Sequence, residues 1–345
     1  MNLHINVFRF YIKVEGLHFL YFNLDSSSPA MEELAHDFSP FIRVYKDGRV
    51  ERLMGTDILP PSSNGTVESK DVVFSPETGL SARLFAPKIR NPDQKLPLLV
   101  YIHGGCFCFG TPFSATYHNY LNALVHEANI IAVSVDYRRA PEHPVPICFD
   151  DSWTALKWVA SHVNGTGPED WLNNFADLEK VYFAGDSSGA NTAHFMGLRY
   201  GQEKPEGVKV ARIILIHPYF WGSEPIGAEV NHLERREFVE KFWRFVCPVT
   251  SGCDDPLFNP VADPKLASLE SCRVLVCVTE KDLYRDRGWF YYEKLKESEW
   301  RGVVEIIETK GEDHVFHLFN PSSENAVALL KQIGFFINQK IQEKA

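Results

Sequence analysis

A chain of 345 residues, 45% of them hydrophobic, is long enough to bury a large core as one α/β domain. Its formal net charge of −10 and pI near 5.7 argue against a nucleic-acid partner. Seven cysteines, an odd number without a C-x-x-C pair, argue against a disulfide framework and a zinc site and read as buried free thiols. The expected setting is cytoplasmic, with a small-molecule substrate and no metal, cofactor, nucleic acid or membrane; the sequence carries no signal for oligomeric state.

Residues 1–30 are aromatic and apolar, but Arg9, Lys13, Glu15 and Asp25 interrupt them too often for a membrane span. They also lack the basic start and clean apolar core of a signal peptide. They read as an extension, of the kind a misplaced gene start produces, ahead of an ordinary beginning at Met31. Residues 31–345 then form a single domain. "VYKDGRVERL" predicts a hairpin turning at Asp47-Gly48. Pro60–Gly65 is a loop, and "DVVF" and "LSARLFAP" are paired antiparallel strands. Residues 97–103 and 129–137 are continuous apolar runs, the mark of strands buried on both faces. A helix is expected over 150–163, with Trp153, Leu156, Val159 and Val163 on one stripe and an aspartate as its cap. There follow a strand at 180–184, a helix at 188–200, a strand at 210–216 and an aromatic stretch over 219–258. The chain closes with a strand at 273–278, a helix at 287–298, a strand at 303–308 and a helix at 323–342. Strands alternating with helices predict an α/β fold with a mainly parallel central sheet flanked by helices, whose ligands sit at the carboxyl ends of the strands.

Four stretches at such ends carry candidate chemistry. "KVYFAGDSSGANTAH" places Gly185, Asp186, Ser187, Ser188 and Gly189 where a strand gives way to a helix, the context that G-x-S-x-G requires. The turn holds its central residue under strain, so neighbouring backbone must approach closely, and Gly185 and Gly189 have no Cβ to block it. Ser187 is the candidate nucleophile. Ser188 opens the helix and offers its backbone N–H, with no role expected for its hydroxyl.

"YIHGGCFCFG" follows the strand ending near His103. Gly104 and Gly105 are expected to turn N–H groups inward and, with Ser188, to form an oxyanion hole. His103 reads as a structural anchor of that loop. In "VTEKDLYRDRG", Asp282 is the candidate acid, with Glu280 and Asp286 as rivals; Asp286 and Arg287 read as helix N-terminal residues. In "ETKGEDHVFHLF", His314 is the candidate base and His317 its rival, expected to pack in the following turn. Ser187, Asp282 and His314 stand in the order Ser…Asp…His of α/β hydrolases. Such a triad attacks an ester carbonyl and passes through an acyl-enzyme intermediate. Cys106, Phe107, Phe109, Phe113, Phe220, Trp221 and Trp243 are candidates for an apolar substrate pocket. Without an exposed amphipathic anchor helix, short-chain esters are expected over triglycerides.

From about Asp37 to the C-terminus the chain resembles plant carboxylesterases of the hormone-sensitive-lipase branch of α/β hydrolases. The resemblance is carried by "HGG", "SVDYRRAPEHPVP", "DDSWTALKWV", "GDSSGAN", "HPYFW", "DDPLFNP", "EKDLYRDRG" and "GEDHVFH". It implies that Ser187, Asp282 and His314 are the triad and that the HGG loop and Ser188 form the oxyanion hole. It also implies a lid from about residues 31–60, aided by 219–258. Cys106 stands where many members have a third glycine, and it keeps its own N–H. Two other activities are similar in sequence. One is that of 2-hydroxyisoflavanone dehydratases, some of which carry threonine where this chain has Ser187. The other is that of gibberellin receptors, non-catalytic proteins that lack the histidine present here as His314.

Overall fold

The longest apolar runs of the chain become the middle of an eight-stranded sheet. The computed structural model describes residues 33–63, 65–88, 94–271 and 273–340; the expected extension at residues 1–30 lies outside them. Three short strands come first, β1 (Leu34–Phe38), β2 (Ile42–Tyr45) and β3 (Val50–Arg52), and form an antiparallel sheet of their own. The β2–β3 turn is the one read from Asp47-Gly48. Gly48 sits at φ +89°, and the Asp47 carboxylate accepts the Arg49 N–H at 2.9 Å.

The main sheet is built from β4 (Val67–Ser75), β5 (Leu80–Pro87), β6 (Leu96–Ile102), β7 (Ile131–Asp136), β8 (Ala176–Asp186), β9 (Val210–Ile216), β10 (Arg273–Thr279) and β11 (Val303–Thr309). Its order is β11-β10-β9-β8-β6-β7-β5-β4, and only β5 runs against its neighbours. The alternation along β6 shows why both faces are covered. Leu98, Val100 and Ile102 enter one core, and Leu99 and Tyr101 enter the other. The first core is closed by α2 (Ile147–Ala160), α4 (Ser188–Gln202) and α6 (Arg285–Glu297); the second is closed by α1 (Ala115–Ala128) and α8 (Glu324–Asn338). The remaining helices are α3 (Asp170–Phe175), α5 (Leu233–Val246) and the single turn α7 (Phe316–Phe319).

Three details differ from the sequence reading. First, α2 begins at Ile147, three residues early, so no aspartate caps it. Asp151 is buried and instead takes the Arg138 backbone N–H at 2.9 Å and its guanidinium at 2.7 Å. Second, Val163 lies beyond the helix and is exposed. Third, α1 was not anticipated, although Tyr117, Tyr120, Leu121, Leu124, Val125 and Ala128 follow helical spacing and are all buried. The six described cysteines are free, and all but Cys106 are buried.

The chain leaves β6 toward β7 and then returns to lay β8 on the other side of β6. The loops after β6 and β8 therefore diverge over one crevice, the place where open α/β sheets bind ligands.

Candidate active site

Ser187 stands at the β8–α4 junction with φ +53° and ψ −120°, a conformation strained for any residue with a Cβ. The glycine spacing around it is obligatory. A Cβ on Gly185 would lie 2.4 Å from the Gly189 carbonyl and 2.5 Å from the Ile102 oxygen; one on Gly189 would lie 2.0 Å from that same oxygen. Helix α4 thus presses directly on the end of β6. Ser187 donates its N–H to the Ile216 carbonyl at 2.9 Å, and its own carbonyl accepts from Tyr219 N–H at 3.1 Å.

The loop after β11 brings His314 to this serine. Its Nε2 is 2.9 Å from Ser187 Oγ, and its Nδ1 is 2.7 Å from Asp282 Oδ2 in the loop after β10. The other Asp282 oxygen accepts the Tyr284 N–H at 2.9 Å, which fixes the carboxylate plane. Neither rival acid faces the imidazole. Glu280 accepts the Gly311 N–H at 2.8 Å, and Asp286 accepts the Ala228 N–H at 2.7 Å. His317 is buried against Tyr120, its ring nitrogens without a protein partner among the described residues. Burial pulls the His314 pKa down, but the charge and hydrogen bond of Asp282, with further help from Asp186 and Asp313, outweigh it and hold the ring above its ordinary value.

Below the serine, Asp186 is sealed from water. It accepts Tyr101 Oη at 2.8 Å and Tyr117 Oη at 2.9 Å, and burial pushes its carboxyl up to about 6. This carboxylate corrects one expectation. Gly104 donates its N–H to Tyr117 Oη at 2.9 Å and to Asp186 Oδ1 at 3.2 Å, so the group points into the core and is not a donor to the crevice. The N–H groups of Gly105, Cys106 and Ser188 have no protein acceptor among the described residues. Gly105, Cys106 and Phe107 all have positive φ, at 107°, 51° and 62°, which curls the loop over the start of α4. The Ser188 hydroxyl has a task after all: it accepts the Phe107 N–H at 3.2 Å and ties the loop to the helix. His103 is fully buried, lies flat on Tyr137 with ring centroids 4.2 Å apart, and is driven down to about 3 by burial and the nearby Arg139 charge.

Residues 99–318 match the model of a family with the α/β-hydrolase fold. The chain is 46% identical to Arabidopsis thaliana "Probable carboxylesterase 2" over 89% of its own length and 98% of the relative's. The chain belongs to the plant carboxylesterase family of α/β hydrolases. It is also 43% identical to a Glycine max "2-hydroxyisoflavanone dehydratase", over 89% of this chain and 99% of that one. Among solved structures, the hyperthermophilic esterase of Pyrobaculum calidifontis superposes with a TM-score of 0.65 at 28% identity, covering 78% of this chain and 85% of that one. The carboxylesterase EstE1, cloned from a metagenomic library, gives 0.67 at 27% identity, over 80% and 90%.

In this family member most of the aromatic residues proposed for the pocket are core. Phe220 packs on His194 and Tyr291, and Trp243 stacks on Phe258 at 4.4 Å. Trp221 is sandwiched between Phe258 and the guanidinium groups of Arg236 and Arg287. Phe113 covers Arg83, Phe107 is buried against Tyr219 and Trp243, and Phe109 stacks on Phe41. Cys106, half-buried, remains at the crevice. Two tyrosines outside that set lead to the triad instead. Tyr284 meets His314 edge-on at 5.2 Å, and Tyr219 meets Tyr284 at 5.0 Å. Tyr284 sits two residues after Asp282, a signal within reach of the sequence.

Another residue carried no local signal. Glu229, fully buried, receives Arg287 at 2.6 and 2.7 Å and also pairs with Arg236. This fastens the segment before α5 to the start of α6, the helix that follows the Asp282 loop. Arg287 is thus more than a helix-terminal charge. Among the described residues no group of three or more His, Cys, Asp or Glu is placed to hold a metal, and no helix is long and apolar enough to cross a membrane.

Proposed function

We propose that the protein is a carboxylic ester hydrolase acting through Ser187, His314 and Asp282. The observation that carries this reading is the single imidazole in hydrogen-bond contact with both the strained serine and the buried carboxylate. His314 Nε2 takes the proton as Ser187 Oγ attacks the ester carbonyl, and Asp282 holds the Nδ1–H tautomer and stabilises the imidazolium. The oxyanion forms beside the N–H groups of Gly105, Cys106 and Ser188; removing one such donor typically raises the barrier by ~3 kcal/mol. His314 then protonates the leaving alcohol, and a water molecule, deprotonated by the same nitrogen, releases the acid from Ser187. Names of relatives and of solved neighbours point the same way.

The three-stranded sheet and α5 form the lid in this reading. Phe38 joins them by packing on Phe238, Phe242 and Phe245. Small esters in a cytoplasmic, single-domain enzyme complete it. A second reading, loss of water from a 2-hydroxyisoflavanone at the same site, is favoured only by the dehydratase relatives. A non-catalytic receptor has no need of the His314 contact.

The test is a series of p-nitrophenyl esters from acetate to palmitate, with a 2-hydroxyisoflavanone, presented to the protein and to Ser187→Ala. Rapid turnover of short esters, abolished by the substitution together with organophosphate labelling, supports the hydrolase. Dehydration without ester turnover transfers the site to the second reading. Activity that survives Ser187→Ala ends both.

A further inference from the structure

The segment that leaves β9 holds the loops of the site together. Ile216 O accepts the Ser187 N–H at 2.9 Å, and Tyr219 N–H returns to Ser187 O at 3.1 Å. Between them His217 has left-handed backbone, φ +47°, and donates its N–H to Cys277 O of β10 at 2.9 Å. Its side chain then crosses to the last loop: Nδ1 accepts the N–H of Val315 at 3.0 Å.

Val315 immediately follows His314 and also has φ +47°. For a β-branched residue that region is a true outlier, held only where surroundings impose it. The Val315 N–H is held by the His217 imidazole, itself 1% exposed. An acceptor at Nδ1 requires the neutral tautomer protonated at Nε2. Burial, reinforced by the nearby His317 and His314, keeps the ring neutral. The His217 and His314 ring centroids are 6.0 Å apart, and among the described residues the His217 ring makes no hydrogen bond to Ser187 or His314.

We propose that His217 is a positioning residue: by accepting the Val315 N–H it locks the strained backbone that aims His314 Nε2 at Ser187. This rests on the hydrolase reading for its kinetic consequence, but not for its geometry. Displacing a reacting group by ~1 Å lowers rate by up to about 100-fold, and the effect falls on the chemical step.

The test compares His217→Leu, His217→Asn and His217→Gln in the full chain, with p-nitrophenyl acetate. Asparagine places its amide oxygen near the position of Nδ1; leucine has no acceptor, and glutamine carries its acceptor one bond farther out. His217→Leu is expected to lower kcat by about 10- to 100-fold with KM nearly unchanged. His217→Asn is expected to recover most of that loss, and His217→Gln little of it. Equal kcat in the asparagine and glutamine variants overturns the proposal, as does a leucine variant that alters KM alone or loses nothing. If His217→Leu fails to fold, the asparagine–glutamine comparison decides. A second readout is independent of turnover: the downfield proton resonance of His314 Nδ1–H against Asp282. It is expected in the wild type and His217→Asn, and lost or shifted in His217→Gln. The same resonance in all three overturns the proposal even if no ester is hydrolysed; ester inactivity with the expected pattern overturns only the hydrolase reading.

Discussion

His314 Nδ1 lies 2.7 Å from Asp282 Oδ2, while the carboxylate of Asp286, four residues on, turns away to the Ala228 N–H at 2.7 Å. The two aspartates are close in sequence, one in the loop after β10 and the other in the first turn of α6, but they do not share a direction. Asp282→Asn should therefore reduce kcat by ~10⁴, through the wrong imidazole tautomer. Asp286→Asn should leave kcat near the wild-type value. Steady-state hydrolysis of one ester by both variants checks this, and the reverse ranking assigns the acid to Asp286.

The raised pKa of His314 has a definite sign in the pH profile. Only the neutral ring accepts the serine proton, so activity rises with pH through the folded-state pKa. The acid limb of kcat/KM should have its midpoint above the ordinary imidazole value of 6.5. The same shift stabilises the fold fully below pH 6.5 and loses that contribution as pH rises through the folded pKa. A limb centred below 6.5 contradicts the reading.

Cys106 stands in the loop that curls over α4, and burial pushes its thiol up to about 12. So little thiolate exists at ordinary pH that alkylation is slow. Iodoacetamide at about pH 8 should leave activity intact over an hour, and Cys106→Ala, which keeps the backbone N–H, should change kcat little. Rapid inactivation that Cys106→Ala prevents would show a reactive thiol at the crevice.

Glu229 neutralises two buried guanidinium groups. Glu229→Gln takes the carboxylate from Arg287 and leaves Arg236 only Glu240, at 3.0 Å, and breaking such a buried network typically costs about 3–5 kcal/mol. The midpoint of urea denaturation should fall markedly. A midpoint unchanged from wild type would show that water already screens the site.

Glu308, at the end of β11, gives a stability test of opposite sign. Burial alone would raise its pKa, but Lys310, Arg285 and Trp289 all donate to it and lower it to about 2. Its contribution is present above the ordinary value of 4.5 and is lost as pH falls toward 2. Glu308→Gln should flatten the stability–pH curve across that window, measured by denaturation at a series of pH values.

Much of this molecule was legible along the chain. Continuous apolar runs predicted strands β6 and β7, glycine spacing predicted the turn around Ser187, and the order of Ser187, Asp282 and His314 after separate strands predicted which side chains would meet. These signals are local: the period of burial and the room beside a backbone depend on near neighbours in sequence. Helix α1 is equally local, its buried residues recurring at helical spacing from Tyr117 to Ala128.

What the tertiary structure alone decided is where donors and rings point. Gly104 and Gly105 are indistinguishable as letters. The first is turned inward by a carboxylate 82 residues away. Trp221 and Trp243 fit a pocket as well as a core until distant partners surround them. Glu229 becomes an anchor only because Arg287, 58 residues on, folds over it. A direction in space is set by whatever packs from another element, and no stretch of chain contains that element's position.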